Sequence, residues 1–173
     1  FNAAKFLGYC QHLLEGTEVP APAEMPPSNG IYRSTTGKQM DGLIFYRSVL
    51  EGGQTAPIDA LIDALAKRGF GCVGIFVSSL KDKASTDFIH ETLAWHSPSL
   101  LLNATSFAAT SGGGGDPLSQ YDCPVLQVVL GTVSEESWRA SPQGLGARDL
   151  AMNVVLPELD GRIHSRAISF KSD

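Results

Sequence analysis

Residues 41–77 read DGLIFYRSVLEGGQTAPIDALIDALAKRGFGCVGIFV and carry the strongest structural signal in the chain. The segment 41–49 is apolar at successive positions up to Tyr46, which predicts a strand buried on both faces. Residues 55–69 then repeat apolar side chains at helical spacing, and residues 72–77 form a second apolar run. A strand, a helix and another buried strand in this order predict a parallel unit with a right-handed crossover.

The same alternation continues toward the C-terminus. It predicts further helices and strands, the helices at 85–96, 134–140 and 147–153 and the strands at 100–102, 125–130 and 163–170. The expected architecture is an α/β three-layer sandwich around a mostly parallel sheet of at least four strands. The predicted core consists of apolar strand and helix residues, namely Leu43, Ile44, Phe45, Val73, Ile75, Phe76, Leu101, Val125, Val128, Val129, Ile58, Leu61, Ile62 and Leu65.

Two units are expected along the chain. Residues 1–29 combine an amphipathic helix at 1–14 with a Pro-rich connector, and residues 30–173 form the α/β domain. Thr55 is expected to cap the helix at 55–69, and Trp95 is expected to face inward. The chain starts at Phe1 without an initiator Met, so we expect a piece of a longer protein.

The composition argues against several functional classes. Lys and Arg number 13 against 18 Asp and Glu, and this net charge of −5 without a basic run does not favour nucleic-acid binding. No stretch is apolar for long enough to suggest a membrane span. The three cysteines, Cys10, Cys72 and Cys123, are too few for a disulfide framework, so a reducing, cytoplasmic compartment is expected.

Two glycine motifs lack the context that their chemistry needs. Residues 69–74 match GxGxxG, but they follow a helix and enter a strand, which favours a helix end and a turn over a dinucleotide site. These glycines are the only support for interpreting the chain as a nicotinamide or flavin enzyme. Gly37-Lys38 lacks the flanking residues of a P-loop, so this chain is not expected to bind ATP. The glycine run at 112–115 is expected to be a flexible loop.

Polar residues follow each predicted strand. They are Tyr46-Arg47-Ser48, Ser78-Ser79, Asn103-Ala104-Thr105 and Gly131-Thr132. In an open α/β sheet these strand ends share one edge, where ligands bind. Hydroxyl and amide side chains also serve as ordinary helix caps, so a ligand site and a set of caps both remain open.

The segment Pro157-Glu158-Leu159-Asp160-Gly161-Arg162 places two carboxylates, a turn glycine and an arginine within six positions. The carboxylates can bind a metal ion, exchange protons or accept hydrogen bonds from backbone amides of a turn. Arg162 and Arg166 are four apart in a predicted strand and would share one face. They can then receive ligand carboxylates or form surface ion pairs.

Five blocks of the chain together resemble a known family. They are GLIFYRSVLEGGQTAPIDALIDALAKRG, IFVSSLKD, LLNATSFA, CPVLQVVLG and RDLAMNVVLPELDGRIHSRAISFK. In this order they are similar to the large subunits of aerobic cobaltochelatases and, more distantly, of magnesium chelatases. The fold of the α/β domain is expected to be flavodoxin-like or periplasmic-binding-protein-like. The resemblance implies that this domain is a fragment of a much larger chelatase subunit. This chain differs from the family at Arg33-Ser34, where relatives tend to have His-Pro, and at Asn153, where they tend to have His.

The resemblance implies insertion of Co²⁺, as substrate, into hydrogenobyrinic acid a,c-diamide, a corrin-type tetrapyrrole, during cobalamin biosynthesis. ATP would be used by partner subunits, an AAA+ ATPase and a second small subunit. The catalytic candidates are Glu158 and Asp160, and Glu158 and His164 are metal candidates. The implied substrate contacts are Arg47, Ser48, Asn103, Thr105, Arg162 and Arg166, with Tyr46 and Phe107 against the ring.

The rival interpretation is a non-catalytic α/β module that binds the tetrapyrrole or docks a partner of a magnesium-chelatase-like complex. The two interpretations differ in what the carboxylates of the 157–162 segment face. Catalysis requires Glu158 and Asp160 on an open concave surface, whereas the rival predicts that backbone amides occupy them.

Overall fold

The computed structural model describes residues 2–22, 24–107, 109 and 115–171, so residues 112–114 of the glycine run lie outside it. One sheet contains six strands, β1 (Asn29–Thr35), β2 (Met40–Tyr46), β3 (Gly71–Val77), β4 (Leu101–Asn103), β5 (Val125–Leu130) and β6 (Ile163–Ser169). The helices are α1 (Asn2–Glu15), α2 (Arg47–Glu51), α3 (Ala56–Lys67), α4 (Lys83–Ala94), α5 (Glu135–Ala140), α6 (Ala147–Leu150) and α7 (Leu156–Glu158). A π-helical turn, Ala151–Val155, joins α6 to α7.

The strand order is β1-β3-β2-β4-β5-β6, and only the β1–β3 pair is antiparallel. The mostly parallel α/β fold expected from the sequence is confirmed. The five parallel strands run in the order second, first, third, fourth, fifth, which is the flavodoxin-like order. The sequence did not predict β1, because NGIYRST lacks an apolar run. This edge strand is held partly by ion pairs from Arg33 to Asp59 and Asp63 of α3.

The sheet is covered on both faces. Leu43 and Phe45 point toward α3, where Ile58 and Ile62 are fully buried, and Ile44 points toward Ile89 on α4. This alternation follows from the two-residue period of a strand. The predicted core is confirmed except that three of its members, Val125, Leu61 and Leu65, are only partly buried.

Two local expectations are wrong. Trp95 is 88% exposed, because α4 ends at Ala94 and Trp95 is the cap residue that follows it. Thr55 makes no side-chain capping hydrogen bond, and Pro57 instead occupies the first turn, where its missing N–H costs nothing. Gly69 has a φ of +83° just after α3, so the GxGxxG match is a helix end, as expected.

The topology creates one distinctive position. β3, the next strand along the chain, pairs with one edge of β2, and β4, the strand after it, pairs with the opposite edge of β2. The two crossovers diverge, so a crevice opens beyond the carboxyl ends of β2 and β4. Among the described residues, none of the helices combines the length and hydrophobicity needed to cross a membrane.

Candidate functional site

A cleft of about 500 Å³ lies at this divergence point. Its walls come from the ends of three strands that are far apart in sequence. It is lined by hydroxyl, cationic and apolar groups: Tyr46, Ser48, Ser78, Ser79 and Ser106; Lys81; and Leu80, Phe107 and Ala109. A cleft of this volume with a few polar groups suits a small-molecule ligand.

Tyr46 ties the floor of the cleft to the segment after β4. Its hydroxyl donates to the carbonyl oxygen of Ser106 at 2.6 Å. Burial raises the pKa of Tyr46, so the phenol stays protonated and acts as a donor at neutral pH. The neighbouring Ser48 lines the cleft as predicted, whereas Arg47 pairs with Glu51 within α2 at 3.2 Å and is not among the lining residues.

Asn103 and Thr105 lie inside the protein, each 1% exposed. With Gln127 of β5 they form a closed network. The Asn103 amide donates to Gln127 Oε1 at 2.9 Å, the Gln127 amide donates to the Thr105 carbonyl at 2.8 Å, and the Thr105 hydroxyl donates to Asn103 Oδ1 at 2.8 Å. Such a satisfied buried network rigidifies its surroundings. In this geometry neither predicted residue offers a free surface to a substrate.

The next two residues, Ser106 and Phe107, form the exposed corner of the cleft wall. Phe107 is 48% exposed and has a φ of +70°, a left-handed conformation that is costly for a side chain with a Cβ. Its N–H donates to the Met152 carbonyl at 3.1 Å, and the Ser106 hydroxyl donates to Asn153 Oδ1 at 3.1 Å. The corner is therefore fixed to the π-helical turn.

Pro157 explains why the Met152 carbonyl is available. In a π-helix the carbonyl of residue 152 accepts from the N–H of residue 157, and Leu156 makes the corresponding bond to Ala151. Proline has no N–H, so the π-helical hydrogen bond from residue 157 to the Met152 carbonyl cannot form. The Phe107 amide takes the place of the missing donor.

Asp160 and Arg162 lie directly behind the cleft wall, and both side chains are 1% exposed. The Asp160 carboxylate accepts from the Ala109 N–H at 2.6 Å, and the Arg162 guanidinium contacts Asp160 at 3.7 Å and Asp116 at 2.7 Å. Burial raises the pKa of Asp116, while the Arg162 charge acts in the opposite direction. Arg162, with a side chain 1% exposed, therefore does not share an exposed face with Arg166.

The remaining predicted residues of this segment point outward. Glu158, His164 and Arg166 are exposed, and none of them lines the cleft. Within the described part of the chain, no three His, Cys, Asp or Glu side chains come close enough to share a metal ion. The roles assigned to these residues stay predictions.

Sequence reasoning assigned no role in the site to several residues that shape it. Lys81 and Ser106 line the cleft, while Asp116 and Asn153 hold its wall. The position of Lys81 just after Ser78-Ser79 was a usable signal, because the loop after β3 had to reach the same edge. Nothing in the sequence around Asp116 indicates that an arginine 46 residues later would pair with it.

Comparisons with known proteins place the chain in a family. A family model described as CobN/Magnesium Chelatase matches residues 1–173. The chain is 39% identical over 196 aligned positions to aerobic cobaltochelatase subunit CobN of Sinorhizobium sp, covering 99% of this chain and 15% of that protein. It is 25% identical over 154 positions to a magnesium-chelatase subunit of Cereibacter sphaeroides, covering 84% of this chain and 13% of the relative.

The fold is also found among solved structures. The catalytic subunit of cobaltochelatase from Mycobacterium tuberculosis matches 95% of this chain and 15% of its own, with a TM-score of 0.76 and 23% identity. The chain thus spans about one seventh of the length of these relatives. With its full length matched by the family model and by a relative of 39% identity, the chain belongs to the CobN/magnesium chelatase family.

Proposed function

We propose that this chain is part of a cobaltochelatase large subunit, in which it supplies one wall of the tetrapyrrole site. The observation that carries the proposal is the cleft at the divergence of β2 and β4, in a chain matched over 99% of its length by a cobaltochelatase subunit. The reaction would be ATP-dependent insertion of Co²⁺, as substrate, into hydrogenobyrinic acid a,c-diamide.

The lining of the cleft suits such a ligand. The Lys81 ammonium group and the serine hydroxyls can bind peripheral carboxylates and amides of the macrocycle, and Tyr46 and Phe107 can contact its apolar face. The chain has no P-loop, which supports ATP use by partner subunits, an AAA+ ATPase and a second small subunit, rather than by this chain.

Glu158 is the residue we propose to handle protons or the metal ion. Metal insertion removes protons from ring nitrogens and water from the cation, and an exposed carboxylate can assist both steps. Glu158 is exposed at the end of α7, whereas Asp160 is occupied by the Ala109 amide and by Arg162. Of the two predicted carboxylates, Glu158 is therefore the one with an exposed side chain, and it lies outside the lining of the cleft.

The experiment measures cobalt insertion by the full-length subunit with its partner subunits and ATP. Glu158→Gln should lower the rate at least about 100-fold if the carboxylate acts as a general base. Glu91→Gln, which changes an exposed carboxylate on α4, is the matched control and should keep the wild-type rate. A Glu158→Gln rate within about threefold of wild type removes the catalytic assignment.

A non-catalytic binding module is the second candidate. It is favoured by Asp160, whose carboxylate accepts a backbone hydrogen bond as that interpretation predicts. Under this interpretation, Glu158→Gln inserts cobalt at the wild-type rate while changes to cleft residues weaken tetrapyrrole binding.

A further inference from the structure

The backbone of Phe107 has a left-handed conformation that is unfavourable for a residue with a bulky side chain. Phe107 and Ser97 are the non-glycine residues with positive φ in the part of the chain that the structure describes. A left-handed backbone is the natural place for glycine, and a bulky residue there persists only where the surroundings fix it. At position 107 the fold nevertheless holds an aromatic ring, half exposed, at the wall of the cleft.

The surroundings fix Phe107 from two sides. On one side the Tyr46 hydroxyl holds the Ser106 carbonyl at 2.6 Å. On the other side the 152–160 segment accepts three hydrogen bonds, from the Phe107 N–H to Met152, from the Ser106 hydroxyl to Asn153 and from the Ala109 N–H to Asp160. These bonds lie on both sides of Phe107, so we expect a change in its backbone conformation to disturb at least one of them.

The segment from Pro157 to Arg162 provides this clamp. Pro157 has no N–H, which leaves the Met152 carbonyl to accept from Phe107. Asp160 accepts a hydrogen bond from the Ala109 N–H. The Arg162 guanidinium forms ion pairs with the carboxylates of both Asp160 and Asp116. Of the three charged residues in this segment, Asp160 and Arg162 take part in these contacts and Glu158 does not. The 152–160 segment therefore contacts the cleft wall through residues 106, 107 and 109.

We propose that Phe107 is a recognition residue that contacts the ring face of the macrocycle, and that Pro157, Asp160 and Arg162 are positioning residues that hold it in its strained conformation. The inference rests on the proposed function, because it takes the ligand to be a tetrapyrrole. Contact between the Phe107 ring and a ligand accounts for a phenylalanine at a position whose backbone favours glycine. An exposed, immobilised aromatic ring loses little conformational freedom on binding.

The test measures binding of hydrogenobyrinic acid a,c-diamide to the full-length subunit by absorbance titration, without metal or ATP. Phe107→Gly removes the ring and relieves the backbone, so we expect binding about tenfold weaker at a nearly unchanged melting temperature. Phe107→Asn also tolerates a left-handed backbone and should behave alike, which covers the case in which the glycine variant does not fold. Phe107→Tyr keeps the ring and should restore binding to within about threefold.

Ser97→Gly is the matched control, because Ser97 has a φ of 42° and is exposed after α4, away from the cleft lining. It should leave binding unchanged. Asp160→Asn tests positioning: it should weaken binding, yet the double variant with Phe107→Gly should bind no more weakly than Phe107→Gly alone. Such non-additivity is expected only if Asp160 acts through Phe107.

The outcomes separate the two proposals. Failure of the wild-type subunit to bind the tetrapyrrole overturns the proposed function. Wild-type binding that is retained within about threefold by both Phe107→Gly and Phe107→Asn overturns the role of Phe107 while leaving the proposed function in place. Additive losses in the double variant overturn the positioning role of Asp160.

Discussion

Within the short segment from Glu158 to Arg166, the charged residues fall into two opposite environments. Asp160 and Arg162 are turned inward, with side chains 1% exposed, and pair with each other and with Asp116. Glu158 and Arg166 are turned outward. The comparison teaches that a dense run of charge in a sequence can contain two sets of residues, one that builds the wall of a site and one that is available to a ligand.

The largest effect is expected when the inward cation is removed. Arg162→Met removes the cation that faces the buried carboxylates of Asp116 and Asp160, and should lower the free energy of unfolding by about 3–5 kcal/mol. Urea unfolding of the 173-residue chain followed by circular dichroism measures this. Arg166→Met, the outward counterpart, should change the free energy of unfolding by less than about 0.5 kcal/mol. Equal losses in the two variants would contradict the division into inward and outward residues.

A smaller effect is expected at the inward carboxylate. Asp160→Asn keeps an acceptor for the Ala109 N–H but removes the charge that strengthens this bond and that faces Arg162, so we expect a loss of about 1–3 kcal/mol. Hydrogen exchange by NMR should show faster exchange of the Ala109 amide. Asp87→Asn, which removes an exposed partner of Lys83, is the control. An Ala109 amide that exchanges at the wild-type rate in Asp160→Asn would show that the carboxylate does not hold this segment.

The smallest effect on stability is expected at Glu158. Because its side chain is exposed, Glu158→Gln should shift the free energy of unfolding by less than about 0.5 kcal/mol. Thermal melting of the variant measures this and is needed to interpret its cobalt-insertion rate. A variant that melts well below wild type would identify Glu158 as a group that stabilises the turn, and its loss of activity would then carry no information about catalysis.

Most of the sheet could be predicted because its strands carry their signal locally. The apolar runs of β2 and β3 and the helical spacing of α3 are visible in the sequence, and their burial followed. β1 could not be found in this way. It is an edge strand of mixed composition, and its pairing with β3 depends on residues about 40 positions away.

The candidate site was predicted only in outline. Polar strand ends were expected to share one edge of the sheet, and the cleft lies at that edge, lined among others by Tyr46, Ser48, Ser78 and Ser79. This expectation did not distinguish Asn103 and Thr105, which satisfy each other inside the protein, from Ser106, which lines the cleft. Thr105 and Ser106 are adjacent and both carry a hydroxyl group, so residue type alone carries no information about which of them faces a ligand.

The sequence by itself determined the α/β class, the parallel core and, through its long similar blocks, the chelatase family, because periodicity and motif order are properties of the chain alone. Only the tertiary structure decided that Asp160 and Arg162 support the cleft and that Phe107 is held in a left-handed conformation. Both depend on contacts between segments about 50 residues apart. A hydrogen bond of that kind has no local signature, since it forms only when the crossovers bring the 106–109 and 152–162 segments together.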